Sequence, residues 1–320
     1  MNSLTEGSLL PAEAPRSEIA SRGGAPVGPR RDNLVIQASA DIMGAEPGFE
    51  ERTFGAKCLV SASLPYREPK PEQLENGAWV RRNGDYTLWL QGGPGGLPYG
   101  SYPRIFVIWL TTEAIRTGNR RISTGGSFST FAKKLNIDRS RGKNGAGRRF
   151  IDQAERLLNS RALFITKPGG TSSSTVRPGT DLLQFADEHS LFFEDRDQHS
   201  LFSSEIVLTE KFFREITEHC IPLDMRAVLP LQQAPLELDI YQWLAYRMFS
   251  LTKKSYVTWN QLYLQFGSSY ARPRAFRAAF IESLHNVLQV YPHANVEPTE
   301  KGLELSPSLT SVPKKIVHPD

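Results

Sequence analysis

Apolar residues recur at helical spacing in two separate stretches of the chain, and each stretch opens a similar series of elements. The first stretch predicts a helix that begins near Ser101, with a buried face formed by Ile105, Ile108, Trp109, Thr112 and Ile115. After this helix the pattern predicts a short strand at 121–123, helices at 127–136 and 145–160, and strands at 162–166, 191–193 and 205–208. Residues 167–180 are predicted to form a loop.

The second stretch repeats this order of elements. It predicts a helix whose buried face consists of Leu236, Ile240, Trp243, Leu244, Met248 and Leu251. A short strand at 256–258, helices at 259–266 and 271–291, and strands at 294–297 and 303–305 are expected to follow. A Trp-Leu pair lies at the same place in the first helix of each stretch, as Trp109-Leu110 and Trp243-Leu244.

Helix, strand, helix, turn, long helix and hairpin is the element order of a winged helix, whose third helix enters the major groove of DNA. We therefore predict an α+β protein with tandem winged-helix domains at residues 101–208 and 209–307. Residues 33–100 are predicted to form a short extension of helices and strands that packs on the first domain. Residues 1–32, rich in Pro, Gly, Ala and Ser, are predicted to be a disordered tail, and residues 308–320 a flexible one.

Positive charge is concentrated in two windows. Residues 139–161 hold seven Lys or Arg and two acids, whereas residues 247–277 hold six Lys or Arg and no acid. The windows carry +5 and +6, which leaves −7 on the rest of a chain whose net charge is +4. Two basic windows in an otherwise acidic chain indicate two local contacts with a polyanion such as DNA.

In the first predicted domain, the polar face of the third helix is expected to contact DNA. Arginine can bind guanine through two hydrogen bonds, and glutamine can bind adenine in the same way. The candidate residues are Arg139, Arg141 and Lys143 in the loop before the helix, Arg148 at its start, and Arg149, Gln153 and Arg156 along the face opposite the buried stripe.

In the second predicted domain, the candidates surround the start of the third helix. Hydroxyl and amide groups at a helix start can bind a phosphate, and nearby cations strengthen that binding. The candidate residues are Lys253, Lys254, Ser268, Ser269, Tyr270, Arg272, Arg274 and Arg277.

Motifs for catalysis, metals and cofactors are not found in the sequence. There is no GxxxxGK[ST] loop, and the Gly-rich residues 142–147 lack the Ser or Thr that would bind magnesium. The six histidines form no metal-binding pair, and Cys58 and Cys220 are far apart. We expect no enzyme activity, no metal and no cofactor, while a nicking or primase-like enzyme is the rival class. No apolar run reaches membrane-helix length, so a cytoplasmic protein without membrane contact is expected.

Several blocks in one order resemble the family of plasmid-encoded RepA proteins. They are Ser-Leu-Pro-Tyr-Arg at 63–67, and the segments 81–88, 96–101, 103–104, 109–114, 222–224, 238–247 and 259–272. The resemblance implies a plasmid replication initiator that binds repeated sites (iterons) in the origin, opens the duplex, and recruits the host initiator and replicative helicase. Analogy with other two-winged-helix initiators adds a homodimer. The alternative is a winged-helix transcriptional repressor or partition protein.

Overall fold

The structure is a computed structural model that describes residues 29–125, 127–140, 142, 144–166, 179–191 and 204–313. Parts of several predictions lie outside these ranges. They are residues 1–28 and 314–320 of the two tails, residues 167–178 of the loop, and residues 192–193 of a strand. Within the described ranges, no helix combines the length and apolar character needed to cross a bilayer.

The N-terminal extension, here defined as residues 29–100, begins inside the segment predicted to be disordered. Its elements are α1 (Pro29–Gly44), β1 (Arg52–Ala56), α2 (Lys57–Ser61), a 3-10 turn (Pro71–Gln73), β2 (Trp79–Asn83) and β3 (Tyr86–Gln91). Arg31 in α1 forms an ion pair with the buried Glu237, 206 residues away along the chain. The predicted tail over residues 1–32 is therefore wrong for residues 29–32, because a distant contact holds this turn in place.

The first unit, residues 101–208, contains the predicted helices in the predicted order. Its elements are α3 (Ser101–Thr117), β4 (Arg121–Ser123), α4 (Phe128–Lys134), α5 (Ala146–Leu158), β5 (Arg161–Thr166), β6 (Gly179–Gln184), β7 (Ala186–His189) and β8 (Glu205–Leu208). Gly118 ends α3 with a φ of 62°, and its amide donates to the carbonyl of Ala114. Ser127 caps α4 by accepting from the amide of Thr130.

Two antiparallel sheets complete the first unit. One has the strand order β2-β3-β5-β6, so the hairpin of the extension is part of the sheet. The other has the order β4-β8-β7. Strands β6 and β7 were not predicted, because most of their side chains are exposed and show no apolar alternation. The strand predicted at 191–193 is wrong at Leu191, which lies outside any strand.

The second unit comprises residues 209–313. From residue 235 onward its elements follow the predicted order, whereas the helix, strand and helix over residues 210–231 were not predicted. Its elements are α6 (Glu210–Glu218), β9 (Cys220–Asp224), α7 (Met225–Leu231), α8 (Pro235–Ser250), β10 (Ser255–Thr258), α9 (Trp259–Phe266), a 3-10 turn (Gly267–Ser269), α10 (Pro273–Val290), β11 (Val296–Pro298) and β12 (Gly302–Leu305). Strands β10, β12 and β11 form an antiparallel sheet in that order. Pro273 begins α10. Proline lacks a backbone N–H, and at the first position of a helix that group would have no partner within the helix.

Residues 308–313 pack on the second unit, although they were predicted to be flexible. The hydroxyl of Tyr291 donates to the carbonyl of Leu309 over 2.8 Å, and the hydroxyls of Tyr241 and Ser311 lie 2.5 Å apart. Val312 is buried. Two buried tyrosine hydroxyls therefore find partners in this segment, which explains why it adopts a defined path.

The extension packs on both units, whereas it was predicted to pack on the first alone. Strand β1 pairs with β9 of the second unit, with Arg52 opposite Asp224 and Ala56 opposite Cys220. Helix α1 packs against α7 and α10. One apolar core therefore runs through the extension and both units, and it includes Trp109 and Trp243.

A buried ion pair joins α3 of the first unit to α8 of the second. Arg104 of α3 donates from Nε and Nη2 to the two carboxylate oxygens of Asp239 on α8, over 2.8 and 2.9 Å. Both side chains are less than a tenth exposed. Burial by itself would lower the pKa of Arg104, but the Asp239 carboxylate more than offsets that effect and leaves the pKa raised. The guanidinium therefore stays charged inside the protein.

We predict that Arg104→Met alone destabilises the protein by about 3–5 kcal/mol, because it leaves the Asp239 charge buried without its partner. The double variant Arg104→Met/Asp239→Leu should recover part of that loss, because it removes both charges, while the carbonyls of Leu64 and Gly100 still lose their hydrogen bonds from Arg104. Urea unfolding of the wild type, both single variants and the double variant measures the coupling. Additive effects of the two substitutions would contradict this account of the pair.

Candidate nucleic-acid interface

The amino end of α5 is the exposed basic part of the first unit. Arg148 and Arg149 are exposed there, and Arg139 is exposed in the preceding loop. Arg148 lies 3.6 Å from Asp152, one turn along the same helix. Arg141 and Lys143, predicted to contact DNA from the same loop, lie outside the described residues.

Close packing and loop hydrogen bonds set the position of this helix start. A Cβ on Gly147 would lie 2.7 Å from the ring of Phe128, so the backbone of α5 approaches α4 more closely than a larger residue allows. The Ser140 hydroxyl accepts from the amide of Ala146, and the Ser140 carbonyl accepts from the amide of Gly147. The first turn of α5 is thus held by contacts that leave the two arginines facing solvent.

The remainder of the predicted reading face of α5 is covered by the extension. Gln153 is buried, and its side-chain oxygen accepts from the amide of Tyr99 over 2.8 Å. Arg156 pairs with Glu68 over 2.9 Å and lies 5.4 Å from the ring centroid of Tyr99. The prediction that Gln153 and Arg156 lie on an open face was wrong, because the periodicity of α5 does not reveal what packs against it.

The amino end of α10 is the corresponding basic surface of the second unit. Arg272 caps the helix and Arg274 lies in its first turn, both exposed. Ala275 and Ala278 beside them are also exposed. Small side chains around an arginine allow the helix backbone to come close to a DNA groove, and an alanine methyl can contact the methyl group of thymine.

Arg277 on α10 is half-buried and holds the hairpin formed by β11 and β12. Its guanidinium lies 4.9 Å from the ring centroid of Trp259 and donates to the carbonyl of Thr299 over 3.2 Å. The indole N–H of Trp259 donates to the same carbonyl over 3.1 Å. Arg277 therefore fixes the hairpin against α10, which differs from the open position that the sequence predicted.

The three hydroxyl-bearing residues predicted at the start of α10 are all partly buried. The Ser268 hydroxyl is buried and has no hydrogen-bond partner among the described residues. Tyr270 packs its ring 5.6 Å from that of Phe276, and its carbonyl accepts from the Tyr263 hydroxyl. Ser269 is half-exposed in the same 3-10 turn. The turn forms part of the core beneath α10.

Lysines at the edge of this surface differ in how they are held. Lys253 is exposed, whereas Lys254 forms an ion pair with Glu304 of β12. Some exposed lysines outside the two charge windows were not among the predicted contacts, including Lys133 and Lys134 in the last turn of α4 and Lys301 in the turn between β11 and β12. They could have been predicted from their position, because each lies beside the third helix of a predicted domain or in its hairpin.

The described residues contain no group of three or more His, Cys, Asp or Glu side chains placed to hold a metal ion. The arrangement instead offers exposed guanidinium and ammonium groups at two helix starts. Such groups bind phosphates and the edges of guanine bases.

Comparison with known proteins gives a family match and distant structural neighbours. A family model described as plasmid-encoded RepA protein matches residues 97–261, which is just over half of the chain. No protein with a curated description matches the sequence. A crystal structure of RctB domains 2-3 covers 77% of this chain and 94% of its own, with 13% identity and a TM-score of 0.44. A selenomethionine structure of RctB domains 2 and 3 covers 78% and 95%, with 13% identity and a TM-score of 0.48.

Substituting Arg149 and Arg156 separately should distinguish the exposed and covered parts of α5. We predict that Arg149→Ala weakens DNA binding and leaves the unfolding midpoint unchanged, because the side chain contacts solvent. Arg156→Ala should lower the free energy of unfolding by about 1 kcal/mol through loss of its ion pair and ring contact. Fluorescence anisotropy with origin DNA and urea unfolding measure the two effects. Equal behaviour of the two variants in both assays would contradict the assignment.

Proposed function

The chain belongs to the plasmid-encoded RepA family, and we propose that this replication initiator binds origin DNA through the amino ends of α5 and α10. The observation that carries the proposal is the shared design of these two helices. Each has an exposed, basic first turn, at Arg148 and Arg149 in one and at Arg272 and Arg274 in the other. The later turns of α5 are covered by the extension, and the residues of α10 after Arg277 include no Lys or Arg, so the exposed positive charge of each helix lies at its start.

We further propose that the two units are tandem winged helices. The order of helix, strand, helix, helix and hairpin in α8 to β12 supports this, together with the sheet order β10-β12-β11. In such a domain the third helix reads the major groove and the hairpin lies near the phosphates. Lys301 in the hairpin turn and Lys253 before β10 are exposed and suit phosphate contacts. The first unit has the same helices, with a sheet enlarged by the extension.

We propose that the sites in the origin are iterons. The start of α5 and the start of α10 would each read one of two successive major-groove faces of a repeat. Opening of the duplex, recruitment of the host initiator and helicase, and a homodimer that regulates binding are proposed from family membership. We propose that the protein performs these steps without catalysing a reaction on DNA.

A repressor could bind DNA through the same two basic helix starts, so DNA binding does not distinguish it from an initiator. The measurement that distinguishes the two is plasmid replication. A plasmid carrying the origin should replicate only when the gene is supplied.

Arg274 provides the most direct test of sequence reading. We predict that Arg274→Ala weakens specific binding by about 1–3 kcal/mol, because an exposed arginine at a recognition-helix start can bind guanine through two hydrogen bonds. Gln289→Ala, at an exposed position near the other end of α10, is the matched control and should bind as the wild type does. Footprints on the origin measure the difference. An Arg274→Ala footprint equal to that of the control would remove the residue from the site.

A second experiment tests the proposal that the protein is not a nuclease. Incubation of the purified chain with supercoiled origin plasmid and Mg²⁺ should leave the plasmid supercoiled, because the proposed contacts bind phosphates without activating a nucleophile. Agarose gel electrophoresis separates supercoiled from relaxed plasmid. A relaxed product that appears with the wild type and not with buffer would contradict the non-enzymatic proposal.

A further inference from the structure

Residues 63–68, here called the strap, connect the third helix of the first unit to the second unit. At one end the Ser63 hydroxyl donates to the carbonyl of Gln265 in α9 over 3.2 Å. At the other end Glu68 pairs with Arg156 of α5 over 2.9 Å. The strap includes the Ser-Leu-Pro-Tyr-Arg block noted in the sequence. None of the DNA contacts proposed above involves this block.

The buried Arg104 holds the backbone of the strap. It donates to the carbonyl oxygens of Leu64 over 2.6 Å and of Pro65 over 3.3 Å. The carbonyl of Pro65 also accepts from the amide of Gly100 over 3.0 Å. The ring of Tyr66 is buried with its centroid 4.9 Å from the Arg104 guanidinium. The residues immediately before Arg67 are therefore fixed in position.

Arg67 is the exposed cation of the strap. Its two neighbours in sequence are engaged in the protein, Tyr66 by burial and Glu68 by its ion pair with Arg156. Arg67 itself has no hydrogen bond or ion pair with any other residue in the part of the chain that is described. Burial raises the pKa of Tyr270, just before α10, and the positive charge of Arg67 opposes that rise. Arg67 thus lies close to the second unit, one residue from a side chain that contacts α5.

We propose that Arg67 binds a phosphate of the DNA backbone beside the groove reached by the start of α10. The inference rests on the proposed function. The strap contacts the last turn of α5 through Arg156, and it contacts Gln265 near the end of α9, which leads through the 3-10 turn into α10. The positive charge of Arg67 is not neutralised by Glu68, because Arg156 already pairs with that carboxylate. A cation on a fixed backbone also loses less conformational freedom on binding than one on a mobile loop.

The test measures binding of the full chain to a duplex carrying the plasmid's own origin, over a range of salt concentrations. Arg67→Ala should weaken binding by about threefold to tenfold and reduce the slope of log K against log salt by about 0.9, as expected for one lost phosphate contact. Arg67→Lys should restore the slope, because a phosphate contact requires the charge. Arg82→Ala is the matched control, because Arg82 is also an exposed arginine of the extension but pairs with Glu75.

Three outcomes would overturn the proposal. They are an Arg67→Ala slope and affinity equal to those of the wild type, an equal loss in Arg82→Ala, and a loss that Arg67→Lys does not restore. Urea unfolding of Arg67→Ala should match the wild type, since the side chain is exposed. If the wild type itself does not bind origin DNA, the proposed function fails. If the wild type binds and Arg67→Ala binds equally well, only the role of Arg67 fails.

Discussion

The ion pair between Arg104 and Asp239 is the contact on which the relation of the two units depends. It joins α3 to α8 at a separation of 135 residues, and Arg104 also binds three backbone carbonyls, those of Leu64, Pro65 and Gly100. A buried charge pair is stable only when its geometry and remaining hydrogen bonds are satisfied. The pair therefore permits few relative positions of the two units and the strap, and so favours one spacing between the two basic helix starts.

The extension decides which basic residues remain available to a ligand. It covers the later turns of α5 through Tyr99 and Glu68, and it adds the β2–β3 hairpin to the sheet of the first unit. The hairpin of the second unit acts similarly on α10, since Arg277 is held between Trp259 and Thr299. On both helices the arginines that remain exposed are those at the helix start. This shared outcome explains why the proposed contacts are fewer than the basic residues in the sequence.

Much of the fold was predictable because its signal is local. The helices α3 to α5 and α8 to α10 and the strands β4, β5, β8, β10 and β12 carry apolar periodicity or turn residues, and the structure places them close to their predicted positions. Helices α6 and α7 and strand β9 were not predicted. The errors concern elements stabilised by distant residues. The turn at residues 29–32 is held by Glu237, and residues 308–313 are held by Tyr241 and Tyr291. The mostly exposed strands β6 and β7 show no pattern, because hydrogen bonds to their neighbours define them and not burial.

The sequence by itself determined the order of the helices, the repeat of that order along the chain, the family resemblance and the location of positive charge. These properties depend on residue type and on spacing within one element. Only the tertiary structure decided which cations face solvent. Gln153, Arg156 and Arg277 have the residue types and spacing of a reading face, yet each is held by a partner from another part of the chain. Exposure depends on what packs against a helix, and that partner is remote in sequence.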